Sequence, residues 1–193
     1  MAKDSCLWCD AEKAADPGSN PGRAMMELLT ELRDKDIGLI PKKSVQVKRS
    51  AARAILLKGN LIALMNVSKQ KYHKLPGGGI EIGETIKDAL ARELLEETGY
   101  KAKIISEVGK IVEHRTHINE LQTSYCYIAR ITVKGIPCLD KGEVEDGFRL
   151  EWKNIERAIK VLEKERPKTY DGKFIVKRDL NFIKAAKRLM EAE

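Results

Sequence analysis

Three glutamates, Glu93, Glu96 and Glu97, stand at spacings i, i+3 and i+4 in a stretch with a helical pattern. On a helix such positions are neighbours, with Cβ atoms about 5–6 Å apart, and like charges there destabilise the helix. Two readings fit these residues: a solvated acidic face, or a set of ligands whose repulsion a divalent cation removes. Oxygen-only donors suit Mg²⁺ or Mn²⁺, and Mg²⁺ commonly combines a few carboxylates with waters and substrate phosphates. Just upstream runs Leu75-Pro76-Gly77-Gly78-Gly79, where missing Cβ atoms let backbone amides and carbonyls approach a ligand closely. A triple glycine alone is a flexible turn; its place before an acidic helix is what makes it a candidate ligand loop.

The elements that must hold these groups can be read around them. Thr85 is placed to cap the helix, with Asp88 three residues on completing a capping-box spacing, and Gly99 to end it. Leu90, Ala91, Leu94 and Leu95 share one arc that can pack on a sheet. Two apolar runs around Gly59-Asn60 predict a hairpin over residues 51–67. Strands are expected at Ile104–Val112, Gln122–Val133 and Phe148–Trp152, and helices at residues 24–33, Asn154–Glu163 and Lys177–Met190. Strands followed by helices, without regular alternation, favour an α+β sheet covered by helices.

Charge is unevenly spread over the 193 residues. Against a formal net charge of +7 from 36 basic and 29 acidic residues, residues 78–100 hold six acids and two bases, a local −4. Residues 41–53 are the opposite, with Lys42, Lys43, Lys48, Arg49 and Arg53 and no acid. Such a basic stretch either keeps a protein soluble or attracts a polyanion. No apolar run approaches the roughly 18 residues of a membrane span, and residues 1–10 lack the apolar core of a signal peptide. Four cysteines are too few for a disulfide scaffold, so a cytoplasmic protein with reduced thiols is expected.

Gly78, five residues, Glu84, seven residues, then Arg92-Glu93-Leu94-Leu95-Glu96-Glu97-Thr98-Gly99-Tyr100 resembles the signature box of the Nudix (MutT-like) hydrolases. All seven fixed Gly, Glu and Arg positions are filled, a match expected by chance about once in 10⁸ to 10⁹ windows. Tyr100 stands where the family usually has an aliphatic residue, and His73 where many members carry an aromatic such as Trp. The resemblance implies an α+β fold, the Nudix-type α/β/α sandwich with a mixed sheet and flanking helices, spanning residues 45–193. It implies metal-dependent hydrolysis of the pyrophosphate bond in a nucleoside diphosphate linked to another moiety. By the same resemblance Glu93, Glu96, Glu97 and the Gly78 carbonyl ligate Mg²⁺ or Mn²⁺, Glu84 completes the constellation, and Arg92 fixes a glutamate by a bidentate pair. The alternatives are an RNA-end pyrophosphohydrolase, for which the basic stretch would be useful, and a non-catalytic nucleotide-sensing regulator. A small nucleotide is the expected partner, nucleic acid the less favoured one, and pairing into a homodimer is common in the family.

Other positions are less determined. The general base is either a box glutamate or an acid of the 141–147 turn, where Glu143, Glu145 and Asp146 are available. His73, His114 and Arg115 are substrate-binding candidates, with His117 close to them in sequence. Tyr125 and Tyr127 read as sheet-face aromatics. Cys6 and Cys9 form half a zinc site with no second half, since a structural zinc needs four ligands. Residues 16–22, Asp-Pro-Gly-Ser-Asn-Pro-Gly, are what a tRNA T-arm-like string would encode, with a start at Met25 or Met26. The chain therefore divides into residues 1–24, a disordered or spurious extension; residues 25–44, a short helical lead-in; and residues 45–193, the hydrolase domain.

Overall fold

The computed structural model describes residues 26–42 and 47–192. The Cys6–Cys9 pair, the tRNA-like segment and the proposed extension of residues 1–24 lie outside them. Seven strands form one mixed sheet: β1 (Leu28–Arg33), β2 (Val47–Lys58), β3 (Leu61–Val67), β4 (Tyr72–Lys74), β5 (Tyr100–Arg115), β6 (Glu120–Lys134) and β7 (Phe148–Lys153). Their order is β1-β5-β6-β2-β3-β4, with β7 on the other edge of β3. The β1–β5 and β2–β6 pairs are parallel and the rest antiparallel. The helices are α1 (Ile86–Thr98), a short α2 (Lys141–Glu145), α3 (Ile155–Lys164) and α4 (Tyr170–Glu191).

Strand β2 organises the two cores, because successive side chains point to opposite faces. Ala52, Ala54 and Leu56 face α1 and pack with Leu90 and Leu94. Ile55 and Leu57 face the other way, into a larger core with Ala158 and Leu162 of α3 and Phe174, Phe182 and Ile183 of α4. Helix, sheet and helices thus make the α/β/α sandwich that the sequence resemblance implied. Among the described residues no helix is long and apolar enough to cross a membrane.

The first half of β2 lacks β3 as a neighbour, since the two pair only at Leu57–Lys58. The glycine loop takes that edge. Ala52 N–H donates to the Gly78 carbonyl at 2.9 Å, Ala54 N–H to the Pro76 carbonyl at 3.1 Å, and Ile80 N–H to the Ser50 carbonyl at 3.0 Å. A Cβ on Gly77 would come within 2.2 Å of the Ala52 carbonyl oxygen, so the approach itself requires glycine.

The Gly59–Asn60 hairpin forms as expected, and the three later strand segments are strands, β5 being longer than its sequence pattern. The helix expected at residues 24–33 is corrected: Leu28–Arg33 is a strand paired in parallel with β5. Helix propensities differ by only tenths of a kcal/mol per residue. The free edge of β5 offers a row of backbone partners, and pairing there buries Leu32 in the core. Helix α4 starts at Tyr170, seven residues before the expected Lys177, because Thr169 caps it with its side chain on Gly172 N–H. The presumed 141–147 turn contains α2, capped by Asp140.

Candidate active site

Helix α1 is delimited by its own sequence. The Thr85 hydroxyl accepts from Asp88 N–H, the Asp88 carboxylate returns to Thr85 N–H, and Gly99 ends the helix in the left-handed region at φ 72°. Burying Leu90 and Leu94 against β2 leaves the carboxylates along the side next to the glycine loop.

Arg92 gathers three of them. Its Nε donates to Glu84 Oε1 at 2.7 Å and its Nη2 to Glu84 Oε2 at 2.9 Å, the bidentate fork that lysine cannot make. Its Nη1 is shared between Glu93 Oε1 at 2.9 Å and Glu96 Oε2 at 3.1 Å, while Nη2 also donates to the Gly79 carbonyl at 3.1 Å. Glu97 stands apart: it is buried, accepting from Gly77 N–H at 2.7 Å and facing Lys74 Nζ at 2.7 Å. Gly78 lies directly over Glu93, whose two oxygens are 2.3 Å from where a Cβ would sit. The Gly78 carbonyl uses one lone pair on Ala52 N–H and keeps the other.

The electrostatics follow this partition. The Arg92 fork holds the Glu84 carboxyl below its ordinary range. Burial, and next the charge of Glu97, push Glu93 up against the opposing pull of Arg92. Among the described residues no three His, Cys, Asp or Glu side chains are gathered as a ready metal cage. The donors present still fit a hard cation in kind, being all oxygen, with Glu93 and Glu97 repelling each other across the glycine loop.

Of the acids at 141–147, Glu143 is the one near the cluster. Burial and the charge of Glu97 raise its carboxyl to about 7, with Lys74 acting the other way. Glu145 is exposed, and Asp146 accepts from Gln70 at 2.8 Å. His73 is committed elsewhere: Glu165 accepts from its backbone N–H at 3.0 Å and meets its Nδ1 at 2.5 Å, with Glu151 3.4 Å from Nε2. His114 lies at the β1–β5 edge, 3.1 Å from Glu31. Tyr127 is buried beneath α1, and Tyr125 packs against that core. Arg115 is buried at the end of β5, bonded to Glu113 at 2.9 Å, and lines a cavity of about 350 Å³ on the α4 face.

Lys74 was missed in the sequence, and Arg53 was read there only as one of the basic residues of 41–53. Lys74, beside the Leu75-Pro76 turn, carried no signal separating it from a surface lysine. Arg53 did carry one, as the single charge inside the apolar run Ala51–Leu57; it is 8% exposed and lines the same cavity as Arg115.

The family model described as the NUDIX domain matches residues 47–173. Diphosphoinositol polyphosphate phosphohydrolase 2 of Rattus norvegicus is 34% identical over 106 residues, covering 52% of this chain and 55% of that protein. Diphosphoinositol polyphosphate phosphohydrolase 3-beta of Bos taurus is 33% identical over 106 residues, covering 52% and 60%. The match thus spans little more than half the length of these curated relatives. Among solved structures, a NUDIX hydrolase from Nitrosomonas europaea superposes with a TM-score of 0.57 at 17% identity, covering 73% of this chain and 89% of that one. An ADP compounds hydrolase superposes with a TM-score of 0.58 at 15% identity, covering 75% and 74%. At such identities the structural likeness is one of fold.

Proposed function

This chain belongs to the Nudix family of hydrolases, and from that premise we propose that it hydrolyses the pyrophosphate bond of a small diphosphate-bearing molecule with Mg²⁺ or Mn²⁺. A nucleoside diphosphate linked to another moiety is the substrate class expected from the sequence. The observation that carries this reading is the Arg92 fork, which holds Glu84 while sharing Glu93 and Glu96 beside buried Glu97 under a glycine backbone.

A pyrophosphate resists water because its own negative oxygens repel a nucleophile. A divalent ion held by Glu93, Glu96, Glu97 and the Gly78 carbonyl would neutralise that charge and lower the pKa of a bound water. Arg92 keeps the α1 carboxylates and Glu84 in one arrangement, and its contact with the Gly79 carbonyl ties helix to loop. Glu143, raised to about 7, is poised to take the proton of the attacking water near neutral pH. Glu97 keeps Gly77 in place through its backbone N–H.

The test is a panel of nucleotides and other diphosphates with Mg²⁺, following phosphate or pyrophosphate release by the wild type and Glu97→Gln. Glu97→Gln should lower kcat/KM by about 10²–10³, the scale of removing one preorganised electrostatic group. A wild type inert across the panel favours the sensor reading, and a fully active Glu97→Gln refutes the metal assignment.

A further inference from the structure

On the α4 face of β2, opposite α1, lies the cavity of about 350 Å³ lined by Arg49, Arg53, Arg115 and Arg178. Arg49 and Arg53 come from β2 on the same alternate face as Ile55 and Leu57. Arg115 ends β5 and Arg178 lies in α4. Three of these guanidiniums are buried, and each has a nitrogen without a hydrogen-bond partner: Nε and Nη1 of Arg53, Nε of Arg115 and Nη2 of Arg178.

Arg115 and Arg178 do have carboxylates behind them. Arg115 meets Glu113 at 2.9 Å, Glu120 at 3.4 Å and Asp171 at 3.3 Å; Arg178 meets Asp179 at 2.7 Å and Glu113 at 3.5 Å. No carboxylate lies within ion-pair distance of Arg53 among the described residues. Two lining carboxylates, Glu120 and Asp171, face the four arginines. A buried, unpaired guanidinium is costly to the fold unless something else uses it. Its surroundings keep it a cation near neutral pH: burial, then the Arg178 charge, bring it down only to about 10.

The cavity also adjoins the catalytic loop. A Cβ on Gly77 would lie 3.0 Å from the Arg53 Cα, and one on Gly79 would lie 3.3 Å from Arg49 Nη2. Asp179 joins both regions, bonding Arg178 Nε at 2.7 Å with one oxygen and accepting Leu75 N–H at 2.8 Å with the other. The glycine loop and the cavity are thus built on the same stretch of β2 and share Asp179.

We propose that this cavity is a phosphate subsite, in which Arg53, with Arg49 and Arg115, holds a phosphate of the substrate other than those of the scissile anhydride. The substrate class is then a small molecule bearing phosphate at a second position, recognised there by charge rather than by a stacked base. Bidentate guanidinium–phosphate contacts would satisfy the unpartnered nitrogens and neutralise the buried charge. This inference rests on the hydrolase reading for its substrate, but the cavity's affinity for phosphate is measurable without catalysis.

The experiment titrates the whole chain with inositol hexakisphosphate, which carries phosphate esters and no anhydride, in metal-free buffer by calorimetry. Wild type should bind, and Arg53→Gln should bind about tenfold or more weakly, as expected for losing a hydrogen bond between charged groups. Arg49→Gln, at the half-exposed rim, should weaken binding several-fold, and Lys184→Gln, paired with Glu163 on α4, should not change it. No binding by wild type, or equal losses in all three variants, overturns the proposal. So does an Arg53→Gln that folds and binds like wild type; if it does not fold, an unchanged Arg49→Gln is decisive against. Glu97→Gln should keep its affinity for the probe while losing hydrolysis, so the two readings fail separately. A 5′-triphosphorylated oligonucleotide that displaces the probe far better than ATP does would assign the cavity to an RNA end and refute a small-molecule subsite.

Discussion

The two faces of strand β2 carry opposite charge problems. Toward α1, four glutamates surround one arginine and one lysine, and each cation is already bonded to acids. Toward α4, four arginines line one cavity and three retain unpartnered nitrogens. The first face has an excess of anionic donors and suits a cation. The second has an excess of cationic donors and suits an anion. A metal–phosphate substrate, as proposed, would answer both. Net charge of the whole chain, +7, conveys none of this.

The contrast can be broken most severely at Glu143. Removing a general base typically costs 10²–10⁴-fold, so Glu143→Gln should lower kcat by about 10² or more near pH 8. In wild type, activity should rise with pH through about 7 as Glu143 loses its proton, and Glu143→Gln should lose that limb. A pH–rate profile that keeps the limb in the variant assigns the base elsewhere. Next in size is Arg92→Lys, which keeps one positive charge but not the fork to Glu84. It should cost about 10–100-fold in activity or in Mg²⁺ affinity, the range for groups that orient metal ligands. Steady-state rates over a Mg²⁺ titration would show it, and an unaffected variant would mean that charge alone suffices.

Smaller effects concern stability. Arg53→Met replaces an unpaired buried cation by an apolar chain of similar length. It should raise stability by about 1 kcal/mol, seen as a melting temperature higher by a few degrees. A lower melting temperature would mean that Arg53 is a structural residue and would blur the contrast between the two faces. Glu143 offers the reverse sign with pH. Its carboxyl is raised in the fold, so its stabilising contribution is complete below about 4.5, its ordinary value, and is lost as pH rises through about 7. Relative to wild type, Glu143→Gln should therefore gain stability between pH 5 and pH 8, by about a degree or two in thermal melts.

Much of α1 is legible in the sequence alone. Thr85, Asp88 and Gly99 mark its ends, because caps depend on hydrogen bonds and φ values within a few residues. The Gly59-Asn60 hairpin was equally local. The 28–33 strand was not, since its conformation depends on the edge of β5, about eighty residues away in sequence. The grouping of Glu93, Glu96 and Glu97 was legible as helical spacing, but their division was not. Glu96 and Glu93 share Arg92, whereas Glu97 turns under Gly77 toward Lys74, a residue in β4. His73 likewise gave no hint of Glu165, ninety-two residues later, which occupies its ring nitrogen.

What the sequence determined by itself is the candidate catalytic segment: a capped helix with carboxylates at neighbouring turns and glycines where backbone must pass close. Those features follow from bond geometry and local spacing, so they survive without knowledge of the fold. Only the tertiary structure decided which carboxylate is buried, which of three acids near 141–147 lies beside the cluster, and that Arg53 lines a cavity. Each of those depends on burial and on charges brought together from distant strands, and the free energy of a charge is set by what surrounds it in space.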